Sequence, residues 1–204
     1  MKISNFLQSG RSMVEMLGVL AIIGVLSVGG IAGYSKAMMK YKLNKHAESF
    51  NMLLNDALHY SSEFKKAEGT QWTYYGELFH KLGTIPDGFK YINNKNIQDN
   101  FGNEIRVYSL GLSNSYTAGI YIPLNTMQRE VCQNFIKTAK ENSANLYMIE
   151  SQKTDTSDGS SPFQGILYGD NYCTSNRKCL KDLKIDNFED LCDNSKLSSM
   201  IIIW

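Results

Sequence analysis

Neither sign of charge dominates this chain: 21 basic residues face 20 acidic ones, a formal net charge of +1. That balance removes bulk electrostatic attraction as a reason to bind nucleic acid. The four cysteines, at 132, 173, 179 and 192, include no C-x2-C pair, and His46, His59 and His80 lie far from them along the chain. A structural zinc site therefore has no support. G-x-S-x-G, G-x-x-x-x-G-K-[ST] and H-E-x-x-H are all missing, which leaves no nucleophile elbow, phosphate loop or zinc-protease helix. Asp155-Thr156-Ser157-Asp158-Gly159 has neither the acidic spacing nor the closing glutamate of a calcium loop. Internal repeats and low-complexity tracts are absent too. The chain does not read as an enzyme, and no catalytic residue, metal or cofactor is expected. The most consequential absence is local: residues 16–33 carry no charge at all.

What is present fits one membrane anchor and one globular domain. The chain has 204 residues, 43% hydrophobic and 11% aromatic, enough for a core of its own. An even cysteine count behind an apolar segment points to disulfides in an oxidising compartment, with buried free thiols as the alternative. The uncharged run approaches the ~20 residues that span a bilayer. Glu15 stands at its edge. A carboxylate costs roughly 2.5–3.5 kcal/mol at the centre of a membrane helix and less near an end, so its presence needs a reason. A secretory signal would carry a basic stretch first and a small-residue cleavage site after the apolar core. Here basic residues are sparse, and the helical pattern runs on past residue 33. A plain single-pass anchor explains the apolar run, leaving Glu15 as a surface carboxylate favoured by the positive end of a helix.

Beyond the run, Leu43, Ala47, Phe50, Leu54, Ala57, Ser61 and Phe64 recur at steps of three and four, with Lys42, Lys45, Glu48, Asn51, Asn55 and Lys65 elsewhere around the helix. Gly29, Gly30, Ala32 and Gly33 permit close helix approach or local melting. Lys65-Lys66 before Gly69 suits a helix C-terminus, giving one helix of about 55 residues. His46 and His59 fall on it as packed or solvated residues. Residues 70–103 mix aromatics with turn signals and hold a short helix around 75–82. Residues 104–108 and 116–123 read as strands around Asn114-Ser115. Residues 125–139 have helical spacing and carry Cys132; 143–148 read as a short strand and 153–162 as an exposed loop. The ending Met200-Ile201-Ile202-Ile203-Trp204 suits a buried central strand.

Gly10-Arg11-Ser12-Met13-Val14-Glu15, followed by the apolar run to Gly33, resembles the N-terminus of type IV prepilins. The resemblance implies a leader cut after Gly10, with Glu15 fifth in the mature chain. In a polymer the Glu15 carboxylate meets the new amine of a neighbouring subunit. Arg11 stands where the family usually has Phe or Met; its side chain can snorkel to lipid headgroups. Further along, Ile122-Pro123-Leu124, Arg129-Glu130-Val131-Cys132-Gln133-Asn134-Phe135, Leu191-Cys192-Asp193-Asn194 and Asp99-Asn100-Phe101-Gly102-Asn103 resemble segments of type IVb pilins. The resemblance touches most of the chain. It implies the pairing Cys132–Cys192, and with it Cys173–Cys179, out of three possible pairings. The first would close a loop of about 60 residues and stabilise by roughly 4 kcal/mol. The second closes a small loop whose Arg177 and Lys178 are either solvated or turned to a partner.

The implied fold is α+β: a long N-terminal helix packed on an antiparallel sheet, with a disulfide-bounded C-terminal region. The implied divisions are a leader (1–10), a transmembrane and polymerisation helix (11–34), an amphipathic helix (35–68), a connecting αβ-loop (69–103) and the sheet region (104–204). The implied role is that of a pilus subunit. It would insert in a bacterial inner membrane with its head on the outer face, be cut by a prepilin peptidase, and be extruded into a surface filament. Its expected partners are copies of itself through the N-terminal helices, membrane lipid before assembly, a platform protein and an assembly ATPase. Two other roles stay open: a pseudopilin or minor pilin of a secretion-like machine, and a membrane-tethered binding domain that never polymerises.

Overall fold

The uncharged run and the amphipathic stretch behind it form one 47-residue helix, α1 (Met13–His59). The structure is a computed structural model and describes residues 13–64, 72–112, 115–124, 127–153, 163–184, 191–192 and 197–204. The chain divides into two compact units, Met1–Tyr41 and Lys42–Trp204, and α1 contributes to both. In the first unit the described residues are helix alone. In the second, α1 buries His46, Ser49, Phe50, Leu53, Leu54 and Ala57, the one-sided stripe of an amphipathic helix.

α1 stops before the glycine expected to cap it. Tyr60–Glu63 tighten into a 3₁₀ turn, in which Ser61 Oγ donates to Leu58 O at 2.7 Å, and Phe64 is extended (φ −66°, ψ 128°). A serine hydroxyl bonded to the preceding turn competes with regular helix. Leaving the helix lets Phe64 stack on Tyr75, ring centroids 4.1 Å apart, with both residues buried. Gly69 lies outside the described residues.

After the turn come β1 (Trp72–Tyr74), α2 (Gly76–Leu82), β2 (Lys90–Tyr91), β3 (Ile97–Gln98), β4 (Glu104–Leu112) and β5 (Ser115–Pro123). Then follow α3 (Arg129–Glu141), β6 (Met148–Lys153), β7 (Phe163–Tyr168) and β8 (Leu197–Ile203). The described strands form one eight-stranded sheet in the order β2-β3-β4-β5-β8-β6-β7, with β1 also on β4. Its pairings are antiparallel. The fold is α+β, as the sequence implies. The last strand takes the central place, between β5 and β6, and Met200, Ile201, Ile202 and Ile203 are all buried.

Residues 143–148 are not the short strand expected of them. Ser143–Asn145 form a 3₁₀ turn, and the strand starts only at Met148. The turn sits directly on Gly169, where a Cβ would run into the carbonyls of Ser143 and Leu146. Ser143 Oγ closes it by bonding Asp170 Oδ2 at 3.0 Å. β7 was not legible as a strand, and the connection before it, 154–162, lies outside the described residues, as does Asn114.

The sheet has two apolar faces. On the core face Ile105 and Val107, Ala118, Ile120 and Ile122, Met200 and Ile202, and Ile149 alternate along their strands. They meet the α1 stripe and Val131, Phe135, Ile136 and Ala139 of α3 in one cluster. On the opposite face Tyr108, Ile201 and Ile203 are buried beneath Tyr74, Leu110, Tyr121, Tyr147 and Met148. Gly119 lets the Tyr108 ring cross the sheet there: a Cβ would lie 3.3 Å from Tyr108 Oη and closer still to Ile202 O. Glu150, opposite Ile201, is buried on this face; burial pushes its carboxyl pKa up, against a 3.3 Å hydrogen bond from Gln152 Nε2.

Phe50 is fully buried, with its ring 4.5 Å from that of Phe135 and edge-on to it, while Met52 is 46% exposed. Phe50→Ala should cost about 3–5 kcal/mol, and Met52→Ala within about 0.5 kcal/mol, by chemical denaturation of the full chain in micelles.

Candidate functional site

In the first unit, every described residue of α1 is exposed. Met13 is 85% exposed, Leu20 60% and Val25 75%. Such a helix is long and apolar enough to cross a membrane. Glu15 lies in its first turn, where the helix dipole favours a carboxylate. Gly10 and Arg11 lie outside the described residues. Gly18, Gly24, Gly29, Gly30 and Gly33 face open space: a Cβ at any of them meets nothing within 4 Å. Packing inside the described chain therefore gives no reason for five glycines in a helix, each costing up to about 1 kcal/mol relative to alanine.

In the second unit, polar contacts tie the buried side of α1 to the head. His46 Nε2 lies 3.0 Å from Asp99 Oδ2, and neither side chain is exposed. Asp99 comes from the turn between β3 and β4, and its carboxylate also accepts from Phe101 N (2.9 Å), Asn103 N (2.7 Å) and Asn103 Nδ2 (2.9 Å). Burial alone would raise the Asp99 pKa. The hydrogen bonds from His46 and Asn103 outweigh it and hold the carboxyl below its ordinary value. An acceptor at Nε2 means that nitrogen carries the hydrogen, and Nδ1 is left buried with no partner among the described residues. Around the imidazole stand Phe50, Phe89, Phe101 and Phe135, with centroids 4.7–6.5 Å away.

Side-chain amides extend this grip along the helix. Asn100 Nδ2 donates to Lys42 O at 3.3 Å and Asn134 Nδ2 to Leu43 O at 2.7 Å. Ser49 Oγ donates to Asp87 O at 2.9 Å, and Asn142 Nδ2 to Asn51 Oδ1 at 2.8 Å. The sequence offered His46 only as packed or solvated; it is packed. Asp99 was visible as part of a turn motif, but its partner lies 53 residues away and no local pattern joins the two.

The cysteines pair as Cys132–Cys192, with Cα atoms 5.7 Å apart, and Cys173–Cys179, 5.6 Å apart. The first fixes α3 to the segment ahead of β8 and closes a 60-residue separation. The second closes a loop lying against the end of β7, where Tyr168 N donates to Lys178 O at 2.9 Å. Arg177 and Lys178 are both exposed, and Arg177 lies along its own loop: its guanidinium sits 4.3 Å from the Tyr168 ring centroid and Nη1 donates to Tyr172 O at 3.0 Å. Cys173, Cys179 and Asp182 lie together, yet with both sulfurs in one disulfide the group offers no thiolate to a metal. Asp155 to Gly159 lie outside the described residues.

Stability follows protonation in two windows. Unfolded Asp99 binds a proton more readily than folded Asp99, so its contribution is present above the ordinary value of 3.8 and is lost as pH falls below it. Glu150 has the opposite sign: its folded pKa is raised, so stability declines as pH rises past 4.5. Asp99→Asn should flatten the acid limb of a denaturation-against-pH profile and lower stability at neutral pH by about 1–3 kcal/mol, since an amide keeps one acceptor oxygen where the carboxylate serves four donors with two. Replacing both Cys132 and Cys192 by serine should cost about 4 kcal/mol, and replacing Cys173 and Cys179 about 2 kcal/mol, in the same measurement. Compared with family models, curated proteins and solved structures, this chain matches none.

Proposed function

We propose that the chain is a structural subunit of a type IV pilus, most similar to the type IVb subfamily. The observation that carries this reading is Glu15 in the first turn of a helix whose following apolar side chains are exposed, turn after turn. A single-pass anchor needs the apolar surface and gains from a carboxylate at its start only the helix-dipole preference, about 0.3–1 kcal/mol. A packed polymer of such helices needs both. Removing each Leu, Ile, Val or Met from water is worth roughly 1.5–3 kcal/mol, a gain that lipid supplies before assembly and neighbouring helices preserve after it, and glycines that meet nothing within their own chain give those helices room to approach.

In this reading, lipid covers the helix first. A prepilin peptidase cuts between Gly10 and Arg11, and the amine released on one subunit pairs with Glu15 of the next as both leave water. Platform protein and assembly ATPase are supplied by the machinery, since this chain has no nucleotide-binding motif. The head folds and oxidises on the outer face of the inner membrane and travels out with the filament. Adhesion, conjugation and DNA transfer are the uses open to it.

Glu15→Ala should leave membrane insertion and leader removal intact and abolish filaments, as seen by electron microscopy of sheared surface fractions. Normal filaments from that variant would remove the pairing role of Glu15. A chain that is never cut and tolerates the change would be a tethered domain instead.

A further inference from the structure

The face of the sheet turned away from α1 and α3 holds a small aromatic cavity that the pilus reading does not use. Its volume is about 120 Å³, and Trp72, Tyr74, Arg106 and Tyr121 line it. β1 supplies Trp72 and Tyr74 two positions apart on one side of the strand, rings nearly parallel at 15° with centroids 6.5 Å apart. Trp72 rests on Tyr108, 4.6 Å away, and remains 47% exposed. β4 and β5 supply Arg106 and Tyr121, which are directly paired across the strands.

Arg106 is held in place before any ligand arrives. Its Nε donates to Asn96 Oδ1 at 2.8 Å and its Nη2 to Glu104 Oε2 at 2.7 Å. Its guanidinium lies 5.3 Å from the Tyr121 ring centroid. A guanidinium has five N–H donors, so both hydrogens of Nη1 and one of Nη2 have no partner among the described residues. Lys95 adds a second cation, Nζ 5.3 Å from the Tyr74 ring centroid.

The geometry points to a sugar acid: we propose that this cavity binds the carboxylate-bearing ring of an acidic saccharide. An apolar occupant would bury the unspent Arg106 donors without partners, which is costly. The volume admits about one ring and not a helix or strand, since ligand pockets for larger molecules run to several hundred Å³. At the cavity Arg106 and Lys95 outweigh the carboxylate of Glu104, and Glu150 on the same face lies two strands beyond Tyr121, so an anion is selected. Aromatic faces take the C–H face of a pyranose while the guanidinium fork takes the carboxylate. The site stands whether or not the chain polymerises.

The test uses the purified full chain in a detergent without sugar headgroups, probed with D-glucuronate, D-glucose and benzoate by saturation-transfer NMR and tryptophan fluorescence. Glucuronate should bind about tenfold more tightly than glucose. Arg106→Gln should remove that preference, Lys95→Gln should weaken glucuronate by about threefold, and Trp72→Ala should weaken both sugars by about tenfold. Trp72→Phe, which keeps an aromatic face and the strand, should stay within about threefold of the parent. No transfer from glucuronate, equal binding of glucose, tighter binding of benzoate, or glucuronate binding untouched by Arg106→Gln and Trp72→Ala would each overturn the proposal.

Discussion

Burial of one helical stripe, residues 46–57 of α1, is the constraint on which the head depends. Phe50, Leu53, Leu54 and Ala57 have no exposed surface, and the strands and α3 present their own apolar residues to them. A helix buried on one side needs its polar groups on that side accounted for. His46 would be the costliest of these. Asp99 answers it, and the turn that carries Asp99 is shaped by the same carboxylate through Phe101 N and Asn103 N. One buried acid therefore fixes the helix, the β3–β4 turn and the start of β4 together. The amides of Asn100 and Asn134 then bond carbonyls of α1 at its entry into the unit.

Upstream of that grip the same helix has the opposite character. Its side chains up to Lys42 are exposed, uncharged between residues 16 and 33, and interrupted by glycines that nothing in the described chain requires. Such a surface is stable only when lipid or another apolar surface covers it. A carboxylate at its start then needs a cation in whatever medium replaces water.

Much of this was legible in the sequence, for physical reasons. The apolar run, the stripe at steps of three and four, the β4–β5 hairpin and the terminal isoleucines are local patterns, and local patterns survive folding. The cysteine pairing followed from resemblance alone, since four cysteines by themselves allow three pairings. What failed was decided at a distance. Helix α1 ends early because Phe64 finds Tyr75, and residues 143–145 turn because Gly169 lets their carbonyls approach. β7 pairs across a connection that carries no strand signal. The Asp99–His46 pair and the cavity of Trp72, Tyr74, Arg106 and Tyr121 join residues 49 to 53 positions apart at their extremes, which no window of sequence brings together.

The most direct measurement is the N-terminal sequence and intact mass of the protein recovered from the membranes and the sheared surface fraction of its native host. A processed, exported subunit starts at Arg11, is four hydrogens lighter than the reduced chain because of its two disulfides, and appears in the sheared fraction. A chain that starts at Met1 and stays wholly in the membranes would contradict it.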